Sequence, residues 1–232
     1  MLLADIIQRV QSLYSKGVQS DDSRLTPRHI YSKVLTTWNK LVSQEAKKNQ
    51  KTNEWNYITL SCVEMIKAPI HECACLPSIG CEVTRTKLPL PKPLTNLNAH
   101  LISSVTSIDG HLIFTEVTFK EAKYQGSNKY TATKPTYYIR NGYLYLTSMK
   151  GVMPSIISVT GLWEDPLASY ISYCGEDPAD VCNSPMEMDF PIDMDMVDTL
   201  VELASKELVT FFNQQKEDLT NDGKDSSYRD SK

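Results

Sequence analysis

Apolar residues recur at helical spacing in three segments of the chain. The first covers residues 2–16, the second begins at Thr26-Pro27 and runs to about Lys48, and the third follows Asp193. This spacing predicts amphipathic helices, each with one apolar face to bury. Threonine caps free backbone N–H groups, and proline lacks the N–H that a first helical turn leaves unpaired. Thr26-Pro27 therefore predicts a helix start.

The stretch between the second and third helices carries the signals of strands and turns. Alternating apolar residues from Ile58 predict one strand, and residues 155–163 predict another. Hairpins are predicted at Ile108–His111 and at Asn141-Gly142, because asparagine and glycine accept the positive φ of tight turns. Together these signals predict a meander of about four to six strands.

A proline-rich segment, LPLPKPL, interrupts this β-rich stretch with Pro89, Pro91 and Pro93. Proline has no backbone N–H to donate to a neighbouring strand. The segment is therefore predicted to be extended, polyproline-like chain outside the sheet.

Helices that lie far apart in sequence bury their apolar faces most simply by packing on one another. The sequence thus predicts an α+β protein in which two N-terminal helices and one C-terminal helix form a small bundle, with an antiparallel β-domain inserted between them. The predicted boundaries are residues 1–50 and 192–218 for the bundle, 55–170 for the inserted domain, 171–191 for a loop and 219–232 for a disordered or partner-ordered tail.

Charge and hydropathy narrow the classes of function. The formal net charge of the 232 residues is -4, which argues against a general nucleic-acid binder because such proteins need a basic surface. No apolar run approaches the length of a membrane span. The start, MLLADIIQRV, carries an acid at Asp5 and no basic residues before its apolar positions, so we expect no signal peptide and a cytoplasmic origin.

The strongest metal candidate in the sequence is His71 together with Cys73, Cys75 and Cys81. Thiolate and imidazole are zinc ligands, and Cys62 could supplement them. However, the spacing lacks the paired C-x-x-C of zinc knuckles, which favours a cysteine-rich loop packed against the sheet. We therefore predict no metal or other cofactor. A zinc-stabilised intracellular binding module remains the alternative.

Enzymatic signatures are absent from the sequence. It contains no glycine-rich phosphate loop, no G-x-S-x-G and no H-E-x-x-H, so we predict no catalytic residues. A thiol hydrolase with Cys81 as nucleophile is a third hypothesis, although no nucleophile signature surrounds any cysteine. Acidic residues at positions 187–198 lack the order and central glycine of a calcium loop, which favours acids gathered at a helix start.

The second hairpin is rich in aromatic residues, namely Tyr137, Tyr138, Tyr143 and Tyr145. With Lys134 and Arg140 they could stack on a single nucleic-acid strand. The favoured interpretation is that tyrosine pairs across the strands stabilise the sheet, or that they form a protein-binding face.

Several blocks in their order along the chain resemble a structural protein of crAss-like bacteriophages. They are SDDSRLTPRHIYSKVL, WNYITLSCVEMIKAP with HECACLPSIGCEV, LPKPL followed by SVTSIDG, YYIRNGYLYL and VTGLWEDP, and they span most of residues 17–168. The layout is also similar to head-to-tail adaptor proteins of other short-tailed phages, such as tail tubular protein A and its relatives.

This resemblance implies a non-enzymatic virion protein, located in the tail or collar and assembled in the cytoplasm of the host bacterium. It implies a dodecameric homo-oligomeric ring under the portal, acting as a head-to-tail connector and forming part of the DNA ejection channel. The implied partners are the portal protein, the neighbouring tail and ring proteins, and passing genomic DNA without sequence specificity. No membrane partner is implied.

Overall fold

The computed structural model of the chain describes residues 1–15, 25–49, 52–69, 82–96, 99–125, 134–147, 153–174 and 185–225. Within these residues the chain forms five α-helices and nine β-strands. The helices are α1 (Leu3–Tyr14), α2 (Pro27–Asn49), α3 (Phe119–Gln125), α4 (Pro166–Cys174) and α5 (Met194–Asp225). The strands are β1 (Ile58–Pro69), β2 (Glu82–Thr86), β3 (Thr95–Asn96), β4 (Ala99–His100), β5 (Ile102–Ser107), β6 (Ile113–Glu116), β7 (Thr136–Arg140), β8 (Tyr143–Thr147) and β9 (Ile156–Gly161).

The predicted α+β class is confirmed, and the chain divides into two compact units. The helical unit consists of Met1–Thr52 and Ser184–Lys232, and the barrel unit consists of Asn53–Asn183. The three helices predicted from apolar spacing are α1, α2 and α5 of the helical unit. The predicted bundle arrangement and domain boundaries stay predictions.

In the helical unit, α1 and α2 each contact α5 and also contact one another. Their contact faces are apolar and closed to solvent, as the helical spacing requires. The buried apolar residues are Leu3, Ile6, Ile7 and Val10 of α1, Ile30, Val34, Trp38, Val42 and Ala46 of α2, and Val197, Leu200, Val201, Ala204 and Leu208 of α5. Trp38 and Leu208 are thus both core residues of the helical unit.

Trp38 links α2 to the chain segment that leads into α5. Its buried indole donates a hydrogen bond from Nε1 to the carbonyl oxygen of Pro191 at 3.1 Å. The ring of Phe190 meets the indole edge-on, with ring centroids 5.7 Å apart. A tryptophan N–H that is buried needs such an acceptor, so the indole fixes the position of residues 190–191.

The barrel unit contains a closed barrel of seven strands in the order β1-β2-β8-β7-β6-β5-β9. The long strand β1 closes it, because residues 58–64 pair with β9 and residues 65–69 pair with β2. A register shift between Leu60 and Val63 lies in the β9-paired half. Such a bulge increases strand twist and bending, which barrel closure needs.

One strand pair corrects the prediction of an antiparallel domain. Strands β6 and β7 run parallel, with Thr115 opposite Thr136 and Glu116 opposite Tyr137. Parallel neighbours need a crossover connection, and α3 lies within the connection between them. The strand order is therefore not the predicted meander, and the seven barrel strands exceed the predicted four to six.

Both predicted hairpins are confirmed. Strands β5 and β6 pair antiparallel around the turn at Ile108–Gly110. Strands β7 and β8 pair around Asn141-Gly142, whose φ angles are 52° and 79°. Two successive positive φ values are those of a type I′ turn, which matches the twist of the flanking strands.

The proline segment lies outside the ladders except for one bridge between Pro93 and Trp163. The residues that alternate with proline supply the missing donors. The N–H of Leu90 bonds the carbonyl of Gly142 at 2.7 Å, and the N–H of Leu94 bonds the carbonyl of Leu162 at 2.8 Å. The extended segment is therefore attached to the barrel by its leucines, both of which are buried.

Two short helices were not predicted, and both begin with recognisable caps. At α3, the N–H of Thr118 bonds Glu121 Oε2 at 2.9 Å, and the N–H of Glu121 bonds Thr118 Oγ1 at 3.3 Å, which is a capping box. At α4, Asp165 Oδ1 accepts the N–H of Ala168 at 3.0 Å. Since α4 continues through Cys174, its end occupies the start of the predicted loop 171–191.

Helix α5 is longer than the sequence predicts. It reaches Asp225, beyond the predicted end of the helical segment at residue 218. Its last turns therefore include the first residues of the segment 219–232 that was predicted as a tail. Residues 226–232 lie outside the described part of the chain.

We predict that Leu208→Ala lowers the free energy of unfolding by about 2–5 kcal/mol, because it leaves a cavity among the buried residues of α1, α2 and α5. Leu208 is 2% exposed, whereas its neighbour Val209 is 38% exposed and provides the control Val209→Ala. Urea denaturation of both variants measures the effect. Equal stability of Leu208→Ala and the parent chain would mean that α5 is held mainly by another molecule.

Candidate assembly surfaces

The tyrosines of the second hairpin pack within the sheet and stabilise it. Tyr138 and Tyr145 are directly opposite on β7 and β8, and their rings stack with centroids 4.9 Å apart and an interplanar angle of 3°. Tyr137 is also buried, and burial raises its pKa. Buried rings offer no face to a nucleic-acid base, so the interpretation as a cross-strand pair is confirmed for Tyr138 and Tyr145.

The arginines around this hairpin also contact protein rings. The guanidinium of Arg85 lies 4.1 Å from the ring centroid of Tyr143, and that of Arg140 lies 4.4 Å from the ring centroid of Phe119. Phe119 in turn contacts Tyr138 with centroids 5.4 Å apart. Arg140, which the nucleic-acid hypothesis assigned to a strand of bases, therefore helps to hold α3 on the barrel.

The candidate metal ligands His71, Cys73, Cys75 and Cys81 lie outside the described residues, so the zinc alternative stays untested, as does the Cys81 nucleophile. Cys62, the proposed supplement, is exposed on β1, and its Sγ lies 3.5 Å from Ser61 Oγ. In the described part of the chain, no three or more His, Cys, Asp and Glu side chains gather in a group able to hold a metal. The acidic residues at 187–198 are within that part, so the calcium hypothesis has no support.

An exposed isoleucine cluster stands at one end of the barrel. Ile108 in the β5–β6 turn is 67% exposed, and Ile113 at the start of β6 is 65% exposed. Ile156 of β9 is also exposed and follows next in the β5–β9 ladder, because Ser107 is paired with Ile157. Turns usually carry polar residues, so the isoleucine in this predicted turn was the feature of the sequence that could have indicated an exposed apolar surface.

A groove of about 320 Å³ separates the proline segment from the start of α4. Its polar groups are already engaged. The ammonium of Lys92 lies 2.6 Å from Glu164 Oε1, and Ser169 Oγ donates to the carbonyl of Asp165. The groove therefore presents few unsatisfied polar atoms to a ligand, although ligand sites need several that converge.

Charges divide unequally between two helices of the helical unit. Helix α2 carries five basic residues, Arg28, Lys33, Lys40, Lys47 and Lys48. Lys33, Lys40 and Lys47 recur every seven residues along one side, and together with Lys48 at the end of the helix they are what we name the basic face. Three acidic residues on the exposed side of α5 form what we name the acidic face, Asp195, Asp198 and Glu202. Helix α2 contains one acid, Glu45, which is half-buried.

One ionic cluster joins α2 to α5. Lys40 Nζ lies 2.7 Å from Glu207 Oε1, and Lys33 Nζ lies 3.5 Å from Glu207 Oε2. The hydrogen bond from Lys40 lowers the pKa of Glu207, and the charges of both lysines lower it further. Glu207 therefore neutralises part of the basic face from within the chain.

The charge of a second pair of carboxylates indicates that the end of α2 is near the start of α5. Burial raises the pKa of Glu45, and the negative charge of Asp193 raises it further. Lys33, in the first half of α2, meets Glu207 well along α5, whereas Glu45, near the end of α2, is close to Asp193 just before α5, so the two helices run antiparallel. Lys47, Lys48 and Asp195 thus stand at the same end of the helical unit.

These surfaces are typical of a protein that acts through contacts with other molecules. The described residues present exposed apolar and charged faces and no recognisable chemical site. The chain belongs to the crAss-like phage family described as phage tail ring protein 2, whose model matches residues 5–227. It is thus a structural ring protein of a phage tail and a virion component. The resemblance inferred from the sequence blocks is confirmed.

A comparison with curated proteins found no match. In the described ranges, none of the helices has the length and apolar run that crossing a membrane requires.

We predict that Glu207→Gln lowers the free energy of unfolding by about 0.2–1 kcal/mol at neutral pH, the range of partly exposed ion pairs. A carboxyl whose pKa is lowered by folding stabilises the fold above its ordinary value of 4.5. That contribution disappears as the pH falls through the lowered pKa. Urea denaturation should therefore show a deficit near neutral pH and none in strong acid, and a Lys40→Met/Glu207→Gln cycle should show coupling.

We predict that Ile108→Thr/Ile113→Thr changes the free energy of unfolding by less than about 0.5 kcal/mol, because both side chains are exposed and threonine keeps the β-branched shape. Phe114→Ala is the contrasting variant. It removes a ring that is 3% exposed and should cost about 3–5 kcal/mol. A large loss in the double isoleucine variant would show that these residues pack within their own chain.

Proposed function

We propose that this protein is the repeating subunit of a closed ring in the head-to-tail connector, located in the collar beneath the portal. The observation that carries the proposal is the match to the tail ring family over residues 5–227. A ring of identical subunits is built by one heterologous contact repeated by rotation until it closes. Such a subunit needs two different side faces, plus upper and lower faces for its neighbours in the stack.

The exposed surfaces described above support this proposal. The isoleucine cluster at the barrel end would be an unusual feature for a chain that remains a monomer, since exposed apolar patches commonly mark contact sites. The basic face on α2 and the acidic face on α5 supply chemically different sides. We propose that these surfaces meet other copies, the portal protein and the next ring.

We further propose that the ring encloses part of the DNA ejection channel. The net charge of -4 leaves the chain without an overall excess of cations to hold phosphates. Tight phosphate contacts would slow the passage of a genome, whereas a wall without net positive charge permits sliding. The dodecameric symmetry is proposed because it would match the ring implied by the similar adaptor proteins.

Helix α5 offers one further contact in the proposed stack. Its final residues, NQQKEDLTNDGKD, contain Leu219 as their single large apolar residue. A helix of that composition gains little from packing on its own core. We propose that the segment 219–232, which begins within the last turns of α5, contacts the portal or the adjacent ring.

Quantitative mass spectrometry of purified virions tests the proposed function, with this protein counted against the portal protein. A matched connector ring predicts about one copy per portal subunit. Chemical crosslinking in the same virions should join this chain to the portal protein. Absence from virions would refute the virion role, while a clear copy number without portal crosslinks would move the ring to a lower level of the tail.

A further inference from the structure

The charges of the helical unit are only partly neutralised within one chain. Among the described residues, Glu207 pairs with Lys33 and Lys40, and Asp198 pairs with Arg9 at 3.8 Å. Lys206 pairs with Glu202 four residues away on the same helix.

The unpaired charges have opposite signs on the two helices. In the described part of the chain, Lys47 and Lys48 of the basic face and Asp195 of the acidic face make no ion pair. All three side chains are exposed. Charge that remains unpaired at the surface of a subunit is available for pairing in an assembly.

The two faces are directed to different sides of the helical unit. Lys33, Lys40 and Lys47 recur every seven residues along α2, so they form one stripe. On α5, Glu207 meets α2 and Asp198 meets Arg9 of α1. Asp198 and Glu207 are nine residues apart, and at about 100° per residue they lie on opposite sides of α5.

The unpaired charges also lie at one level of the unit. Because the ion pairs of Lys33 and Lys40 with Glu207 set α2 antiparallel to α5, the end of α2 with Lys47 and Lys48 is beside the start of α5 with Asp195. Rotation about a ring axis leaves the height of every atom unchanged. Two patches that meet between neighbouring copies must therefore lie at equal height, as these do when the helices run along the ring axis.

We propose that a second copy of this chain docks its acidic face, Asp195, Asp198 and Glu202, on the basic face of α2, with Lys47 and Lys48 at the centre of the contact. This inference rests on the ring proposed above and names the side-to-side contact that closes it. Contact between two like faces would repel. The charges therefore favour the head-to-tail arrangement that a ring needs over a twofold dimer.

The test uses a phage with an amber codon in this gene, complemented in the host by plasmid-borne variants of the full chain. Copies per virion are counted by mass spectrometry, and the melting temperature of each purified variant is recorded. Lys47→Glu/Lys48→Glu and Asp195→Lys/Asp198→Lys should each lower incorporation about tenfold or more, because like charges then face each other.

Restoration provides the sharper part of the experiment. The chain with all four reversals presents swapped but complementary faces and should be incorporated at the parent level. Co-expression of the two single-face variants should also restore incorporation, because alternating copies pair acid with base around an even-numbered ring. Lys67→Glu/Lys120→Glu reverses two exposed lysines of the barrel unit and is the matched control, expected to be incorporated normally.

The outcomes separate the two proposals. Absence of the parent chain from virions refutes the ring itself. A parent chain that is present, with reversed variants incorporated equally well or not restored by the swap, overturns the charge pairing alone. An equal loss of incorporation in the control variant also overturns the charge pairing. A loss confined to the basic-face variant overturns it as well, and would indicate that the basic face binds DNA or an acidic partner protein. If a reversed chain melts early, Lys47→Gln/Lys48→Gln and Asp195→Asn/Asp198→Asn replace it, and non-additive losses support the pairing.

Discussion

The burial of one face of α5 against α1 and α2 is the contact on which the helical unit depends. Those helices are separated from α5 by more than a hundred residues of sequence, so no local interaction holds them together. Each apolar stripe would be exposed without the others. The bond from Trp38 to the carbonyl of Pro191 adds a directional constraint, because it fixes the segment that leads into α5. Charged side chains at the outer faces are consequently held on a rigid frame.

In the barrel unit, segments that are distant in sequence are held together by strand pairing. Strand β1 pairs with β9 along its first half and with β2 along its second, which leaves the seven-stranded barrel without a free edge. Leu60, Leu144 and Trp163 belong to one buried apolar cluster within it. A core filled by side chains gives the barrel stiffness and leaves its function to the outer surface. The exposed isoleucines at the β5–β6 turn are therefore held in place by a rigid barrel.

Sequence patterns over neighbouring residues predicted individual helices and hairpins well, but they did not predict which distant strands pair. The apolar period located α1, α2 and α5, and Asn141-Gly142 located its hairpin, because these depend on neighbouring residues alone. The Asp165-Pro166 start of α4 is the same signal as Thr26-Pro27, but it was hidden by the acidic, loop-like composition around it. The parallel pair β6–β7 and the closure by β1 depend on which distant strands meet, which periodicity does not encode. The assembly surfaces were harder still, because exposure of Ile108 or Lys47 is known only once the core is known.

Individually weak charge pairs become significant in a closed ring. An exposed pair contributes about 0.2–1 kcal/mol, and salt screens it further. In a ring, however, every subunit uses both of its faces, so a small preference at one contact is repeated at each position and no end is left unpaired. The preference mainly selects the relative orientation of neighbouring subunits. The acidic face of α5 attracts the basic face of α2, whereas either face repels a second copy of itself. Apolar contacts such as the isoleucine cluster do not distinguish these orientations by sign. In the proposed ring the two kinds of surface would therefore be complementary in role, with apolar area supplying affinity and charge selecting the arrangement that closes.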